Sequence, residues 1–223
     1  MQKFDTPGTP AAVLDVPAGR IRFVAADRTD TTVEVLPADA SKARDLRAAG
    51  RTTVAYSDGV LRITAPAVKN QVLGDSGSVE VNVHLPAGSR VEAKSAAAEF
   101  HGVGRLGDVA VEAAQGTVEL AETAGARLVL QAGDVSIGRL GGSAHVSTQK
   151  GDIRITEAVT GTVTLTTEHG EISVGAAHGV SASLDAGTGH GRIHNALVDT
   201  GGADAGLKIR ATTSYGDITA RSL

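Results

Sequence analysis

From residue 91 onward the apolar residues fall at alternate positions, in short runs that stop and restart at glycines. The runs align on Gly116 in QGTVEL, Gly133 in AGDVSI, Gly151 in KGDIRI, Gly170 in HGEISV, Gly191 in HGRIHN and Gly216 in YGDITA. Subtracting neighbouring positions gives spacings of 17, 18, 19, 21 and 25 residues. Two residues after each glycine stand Val118, Val135, Ile153, Ile172, Ile193 and Ile218. Four after stand Leu120, Ile137, Ile155, Val174, the polar Asn195 and Ala220. Five and three positions before stand Val111 and Ala113, Leu128 and Leu130, Val146 and Thr148, Leu165 and Thr167, Ala186 and Thr188, Ala211 and Thr213. A period of two marks strands with one face inward. Each unit therefore reads as two short strands hinged at a glycine, which accepts the positive φ a tight turn demands.

A unit of roughly 18 residues cannot bury its own apolar face, so it must stack on its neighbours. Like residues then form ladders about 4.8 Å apart. Without helical crossovers or paired hairpin signals, the expected fold is all-β: a single-chain right-handed parallel β-solenoid. A degenerate earlier rung fits Val91, Ala93 and Phe100, with Ala98 in the glycine slot. The first ninety residues share the pattern less regularly. Ala12, Leu14, Val16, Gly19, Ile21 and Phe23 hold the same offsets, as do Val54, Tyr56, Gly59, Leu61 and Ile63. Thr31–Leu36 and Val79–Leu85 read as strands, with Pro86–Ser89 as a turn. Asp39 to Ala49 is the one expected helix, with Asp39 as its N-cap and Gly50 just past its end. Lys69–Ser78 and Asp199–Gly206 read as loops. The expected organisation is one domain over residues 1–223, irregular over 1–90 and regular over 91–223.

These features together resemble the bacterial "putative adhesin" family of unknown function, also described as a toast-rack β-solenoid. The matching pieces are Val13-Leu-Asp-Val with Gly19-Arg-Ile-Arg, Asp58-Gly-Val-Leu-Arg-Ile63 and Val81-Asn-Val-His-Leu-Pro-Ala-Gly-Ser89. The serial Gly-Asp-Ile/Val rung follows, clearest at Gly133, Gly151 and Gly216. A bactofilin-like filament protein would share parts of this motif. The resemblance implies an interaction or scaffold module, some relatives being attached to membrane-stress signalling proteins, and it brings no catalytic residues.

Composition narrows the functional classes. Of the aromatic types only Phe4, Phe23, Phe100, Tyr56 and Tyr215 occur, without Trp, which disfavours stacking on sugars or unpaired bases. The net charge is −4 and the basic residues are scattered, so nucleic acid is not an expected partner. The absence of Cys excludes disulfides, thiolate metal sites and a Cys nucleophile. No apolar run is long enough to span a membrane, and the segment from Met1 to Gly8 lacks a signal-peptide core. A cytoplasmic protein is expected, with peripheral association with the envelope as the alternative.

Two clusters carry candidate chemistry. Asp134, Asp152 and Glu171, each just after a repeat glycine, form an expected carboxylate ladder able to offer oxygen ligands to calcium. Acids that keep a turn edge solvated are the preferred reading, since the Gly-rich nonapeptide of calcium-binding β-rolls is absent. His169 and His190 are expected as neighbours on adjacent rungs, with Glu168 close and His194 beyond the turn. Zinc needs three or four convergent ligands, so these read as surface histidines. No Gly-x-Ser-x-Gly elbow, phosphate loop or His-Glu-x-x-His helix occurs, and the expected catalytic, cofactor-binding and metal residues are none. A carbohydrate-active β-helix enzyme would need a cleft and aromatics. The favoured function is a non-catalytic protein-interaction or scaffold module, presenting the outward column Glu119, Ser136, Arg154, Ser173 and Thr219 to a protein partner. A small-molecule ligand is not expected. The alternative is a self-assembling filament, whose signature would be exposed apolar caps at Met1–Phe4 or Ser214–Leu223.

Overall fold

The computed structural model describes residues 1–65, 77–198 and 205–223. The described residues are mostly β with one helix, and their strands pair mostly in parallel. Residues 69–76 and 199–204, which carry most of the two expected loops, lie outside the described residues. Contacts divide the chain into two compact units, Met1–Gly116 and Thr117–Leu223.

The first unit is mixed. Strands β1 (Gln2–Asp5), β2 (Ala11–Asp15), β3 (Ala18–Ala26) and β4 (Asp30–Pro37) lead into the helix α1 (Ala43–Arg51). Then come β5 (Thr53–Ser57), β6 (Val60–Thr64), β7 (Val79–Pro86) and the long β8 (Arg90–Gln115). β2 pairs in parallel with β6 on one side and β8 on the other. β3 lies in the same way between β7 and β8. The β2–β3 rung therefore sits inside the later β6–β7 rung. Its inward residues Ala12, Leu14, Ile21 and Phe23 are buried, as are Val81, Val83, Leu85 and Phe100. The expected alternation holds here.

Two expectations for this unit are corrected. Val54 to Ile63 is not a rung: β5 and β6 form an antiparallel hairpin. Its two-residue turn is Asp58 (φ 51°) and Gly59 (φ 76°), the Asp-Gly pair that favours such hairpins. The helix begins at Ala43, not Asp39. The Asp39 carboxylate accepts the Ser41 N–H and hydroxyl at 2.9 and 2.6 Å, which holds a turn ahead of the helix. Lys42 is the N-cap residue, without a side-chain cap. Gly50 lies inside the helix, which ends where the Thr52 N–H and hydroxyl donate to the Ala48 carbonyl. The buried Asp45 ties the helix to the start of β7 by accepting the Ser78 N–H at 3.0 Å.

In the second unit every described strand pairing is parallel. The strands are β9 (Val118–Ala132), β10 (Val135–Leu140), β11 (Ala144–Lys150), β12 (Ile153–Ala158), β13 (Gly161–His169) and β14 (Ile172–Ala176). They continue as β15 (Ala182–His190), β16 (Ile193–Ala196), β17 (Leu207–Tyr215) and β18 (Ile218–Ser222). The residues two and four after Gly133, Gly151, Gly170 and Gly216 are buried, as the repeat requires. At Gly151 the hinge has φ 145°, and an added Cβ would stand 2.1 Å from the Gly133 carbonyl oxygen. Backbone conformation and the close approach of the neighbouring rung both demand glycine there.

The stacking order departs from chain order. β17 lies between β13 and β15, and β18 between β14 and β16. The last rung of the chain is thus one place in from the end. The residues explain the exchange. Leu207, Ile209, Ala211, Ile218 and Ala220 point inward and are no more than 1% exposed, with Thr213 the buried polar residue of the rung. The 182–196 rung has the polar Asn195 where the other rungs have Leu, Ile, Val or Ala, and enclosing its amide in the stack would cost free energy. That rung takes the outer position.

Candidate functional site

The repeat builds its outer surface in columns, so a candidate site is read along columns. One position after the glycines, three aspartates reach the next rung's backbone. Asp134 Oδ1 accepts the Asp152 N–H and Asp152 Oδ1 accepts the Glu171 N–H, both at 2.8 Å. Asp217 Oδ1 accepts the Arg192 N–H at 2.8 Å, and its Oδ2 lies 3.0 Å from the Arg192 guanidinium. The Arg192 N–H, then its side chain, hold the Asp217 carboxyl below the usual carboxylate range. Asp134, Asp152 and Glu171 are adjacent as the sequence predicts, but the two aspartates fasten rung to rung. Sequence spacing shows the column and cannot show which oxygen meets which amide.

One position before the glycines, the expected His169–His190 pair does not form. Tyr215 of the inserted rung stands between them, its ring centroid 5.0 Å from His169 and 4.7 Å from His190. Glu168 is exposed on β13, and His194 registers with Thr219 on another column. Among the described residues no group of three or more His, Cys, Asp or Glu is placed to hold a metal ion.

The sequence also displays, without explaining, a threonine three before four of the glycines. Thr167, Thr213 and Thr188 donate to the carbonyls of Gly151, Gly170 and Gly216 at 3.0, 3.1 and 3.0 Å. These hydroxyls satisfy carbonyls at the crowded hinge, where an unpaired acceptor would be costly. The side chains of Thr167 and Thr213 are buried, so this column is structural.

The outward column three after the glycines is in register over the whole unit. Glu119, Ser136, Arg154, Ser173, Thr219 and His194 pair in sequence across β9, β10, β12, β14, β18 and β16. Alternation with the buried ladders fixes them on the outer face. Beside them Arg139 is paired with Glu157 across β10 and β12. The face is polar and of mixed charge. In the first unit a shallow depression of about 250 Å³ lies over β2, β6 and β8, lined by residues including Asp15, Arg62, Glu92 and Lys94. Its Lys94 ammonium is 3.5 Å from the Glu112 carboxylate, so its charges are largely balanced within the protein.

A two-armed, glycine-hinged rung repeated in parallel register defines a toast-rack protein. The chain belongs to the Toastrack DUF4097 family, which matches residues 13–222. It is similar to the crystal structure of a putative adhesin from Bacteroides fragilis, at 13% identity and a TM-score of 0.60, covering 98% of this chain and 95% of that one. A putative cell adhesion protein from Clostridium sporogenes aligns over 100% of this chain and 98% of its own at 12% identity, with a TM-score of 0.40. A putative adhesin from Parabacteroides merdae aligns over 100% and 93% at 12% identity, with a TM-score of 0.42. No curated protein matches the chain. Among the described residues no helix is long and apolar enough to cross a membrane.

Proposed function

We propose that this protein is a non-catalytic, adhesin-like interaction module whose flat outer face binds a protein partner. Its rungs act as turns of a right-handed coil of about 18 residues that holds the face rigid. The observation that carries the reading is the in-register column from Glu119 to Thr219. Polar side chains spread over successive rungs suit an extended protein contact, whereas small-molecule sites are concave and mostly apolar. The names of the B. fragilis and C. sporogenes proteins agree with a binding role. The test is affinity capture with the full chain, repeated for Arg154→Ala, Ser173→Arg and Thr219→Arg singly and together. Retention should fall in steps as substitutions accumulate. A measurable turnover abolished by one substitution would replace this reading with an enzyme.

A further inference from the structure

The helix α1 turns small and polar residues inward and shows its long side chains to solvent. Asp45 is buried and accepts the Ser78 N–H, Ala48 and Ala49 are half-buried, and the helix packs against β4 and β7. With about 3.6 residues per turn, positions 45, 48 and 49 share one side. An added Cβ on Gly77 would stand 2.3 Å from the Arg44 carbonyl oxygen. That close approach and the Asp45 bond fix the rotation of the helix about its axis. Ala43, Leu46, Arg47, Gly50 and Arg51 are therefore turned outward, and all are exposed, Leu46 by 50%.

This outward face is cationic in an anionic chain. Lys42, Arg44, Arg47 and Arg51 place four of the chain's 21 basic residues within ten positions, against a net charge of −4 overall. Lys42 is paired with Asp39 at 3.2 Å, and Arg44 Nε lies 3.8 Å from Asp45. Arg47 and Arg51 have no ion pair among the described residues. A helix that is merely solvated gains from opposite charges at i,i+4. Here Arg47 and Arg51 repel at that spacing, Arg44 stands in the first turn, where a cation is disfavoured, and Gly50 lowers the helix propensity. The pattern weakens the helix with no gain inside the protein, which marks side chains kept for an external contact.

We infer that this face docks on an anionic lipid surface, with Arg47 and Arg51 at the phosphates and Leu46 in the acyl boundary. The small Ala43 and Gly50 lie between Leu46 on one flank and the two arginines on the other, so both reach a flat surface together. Charge complementarity alone would suit any polyanion. Leu46 decides the class: a bilayer interface takes a cation and an apolar side chain side by side, whereas a nucleic acid backbone leaves the leucine in water. Each arginine near such a surface strengthens binding by about fivefold, so the attachment is weak, reversible and screened by salt. The inference makes no use of the outer column of the second unit.

The test is co-sedimentation of the full chain at low salt with vesicles of equal parts phosphatidylglycerol and phosphatidylcholine, and with phosphatidylcholine vesicles alone. The chain should partition onto the first and not the second. Arg47→Gln with Arg51→Gln should weaken partitioning by about 25-fold, and Leu46→Ser by about three- to tenfold. Arg127→Gln with Lys208→Gln removes the same charge from exposed sites of the second unit and should leave partitioning unchanged. The Arg47/Arg51 variant should keep the parent's Tm, since those side chains hold nothing in the fold. No partitioning onto the anionic vesicles, equal partitioning onto both kinds, or equal losses in the two charge variants would each overturn the inference. So would a fall in Tm, which would make the arginines structural, or tighter binding to polyglutamate or duplex DNA than to the vesicles. Failure here leaves the protein-binding reading of the second unit untouched, because no vesicle measurement involves its column.

Discussion

The inserted C-terminal rung permits a cross-linking experiment with an unambiguous sign. Ser173 of β14 registers with Thr219 of β18, and Thr219 with His194 of β16. Adjacent strands lie about 4.8 Å apart, inside the roughly 4.4–6.8 Å Cα separation a disulfide accepts. Ser173 and His194 are two spacings apart, about 9.6 Å, beyond the limit of about 7 Å. The chain has no cysteine, so introduced pairs report alone. Ser173→Cys with Thr219→Cys should oxidise fully under mild conditions, while Ser173→Cys with His194→Cys should stay reduced. The first pair closes a loop of 46 residues (219 − 173), whose lost unfolded-state entropy stabilises by up to about 4 kcal/mol. In a chain of this size that ceiling is a rise in Tm of roughly 8–16 °C, reversed by reductant. Mass spectrometry of digests reads the bond, and calorimetry reads the Tm. If Ser173 bonds to His194 and not to Thr219, the rungs stack in chain order and the inserted position of β17 and β18 is refuted.

The remaining predictions concern the ladders and the pH dependence. Ile153→Ala should cost about 2–5 kcal/mol by denaturant unfolding, since the side chain is fully buried. Asp152→Ser, which touches only an exposed carboxylate–amide bond, should cost far less; equal losses would mean the inward register is misassigned. Asp30 is held down to about 2 by Arg28 and then Lys3, and Asp39 to about 2 by the Ser41 hydroxyl and N–H. Both bind a proton less readily when folded, so their contribution is full above about pH 4 and fades as pH falls toward 2. Carboxyl carbon shifts followed by NMR should show both midpoints near 2, and midpoints near 4 would remove these contacts from the solution structure.

Much of the fold was legible because the repeat repeats its chemistry. Ile153, Ile155, Val146 and Leu165 are buried where period-two alternation puts them, and Gly151 hinges where the alignment places it. Ala98 does stand in the glycine column, paired with Gly19, but strand β8 runs through it unbroken. Stacking order was not legible from spacing, because alignment ranks rungs by chain position and neighbours are chosen by burial. The polar Asn195 was the available signal that one rung belonged at an end. Of the two segments expected as apolar caps, Met1 and Tyr215 are exposed, whereas Phe4 is half-buried against Tyr56 and Ile218 and Ala220 are buried; Ile193 and Val198 are exposed as well. The hairpin at Asp58-Gly59 was legible, since Asp-Gly between alternating residues marks that turn, but rung offsets and hairpin offsets coincide there. Which side chains fasten rung to rung needed coordinates, because Asp134 and Glu171 look alike as exposed acids in a sequence.

Insertion also makes one part of the second unit depend on another. Between the end of β14 at Ala176 and the start of β15 at Ala182 the chain steps past a whole rung, about 9.6 Å, within reach of the five residues 177–181 at about 3.3 Å each. Until β17 and β18 fill the gap, β15 and β16 have no sheet partner among the described strands. Among the described strands the 182–196 rung thus takes its pairing from the last seventeen residues, 207–223, and offers only Leu184 and Ile193 as large apolar residues in return. One-sided pairing and a thin apolar ladder place it at the low-stability end of the unit.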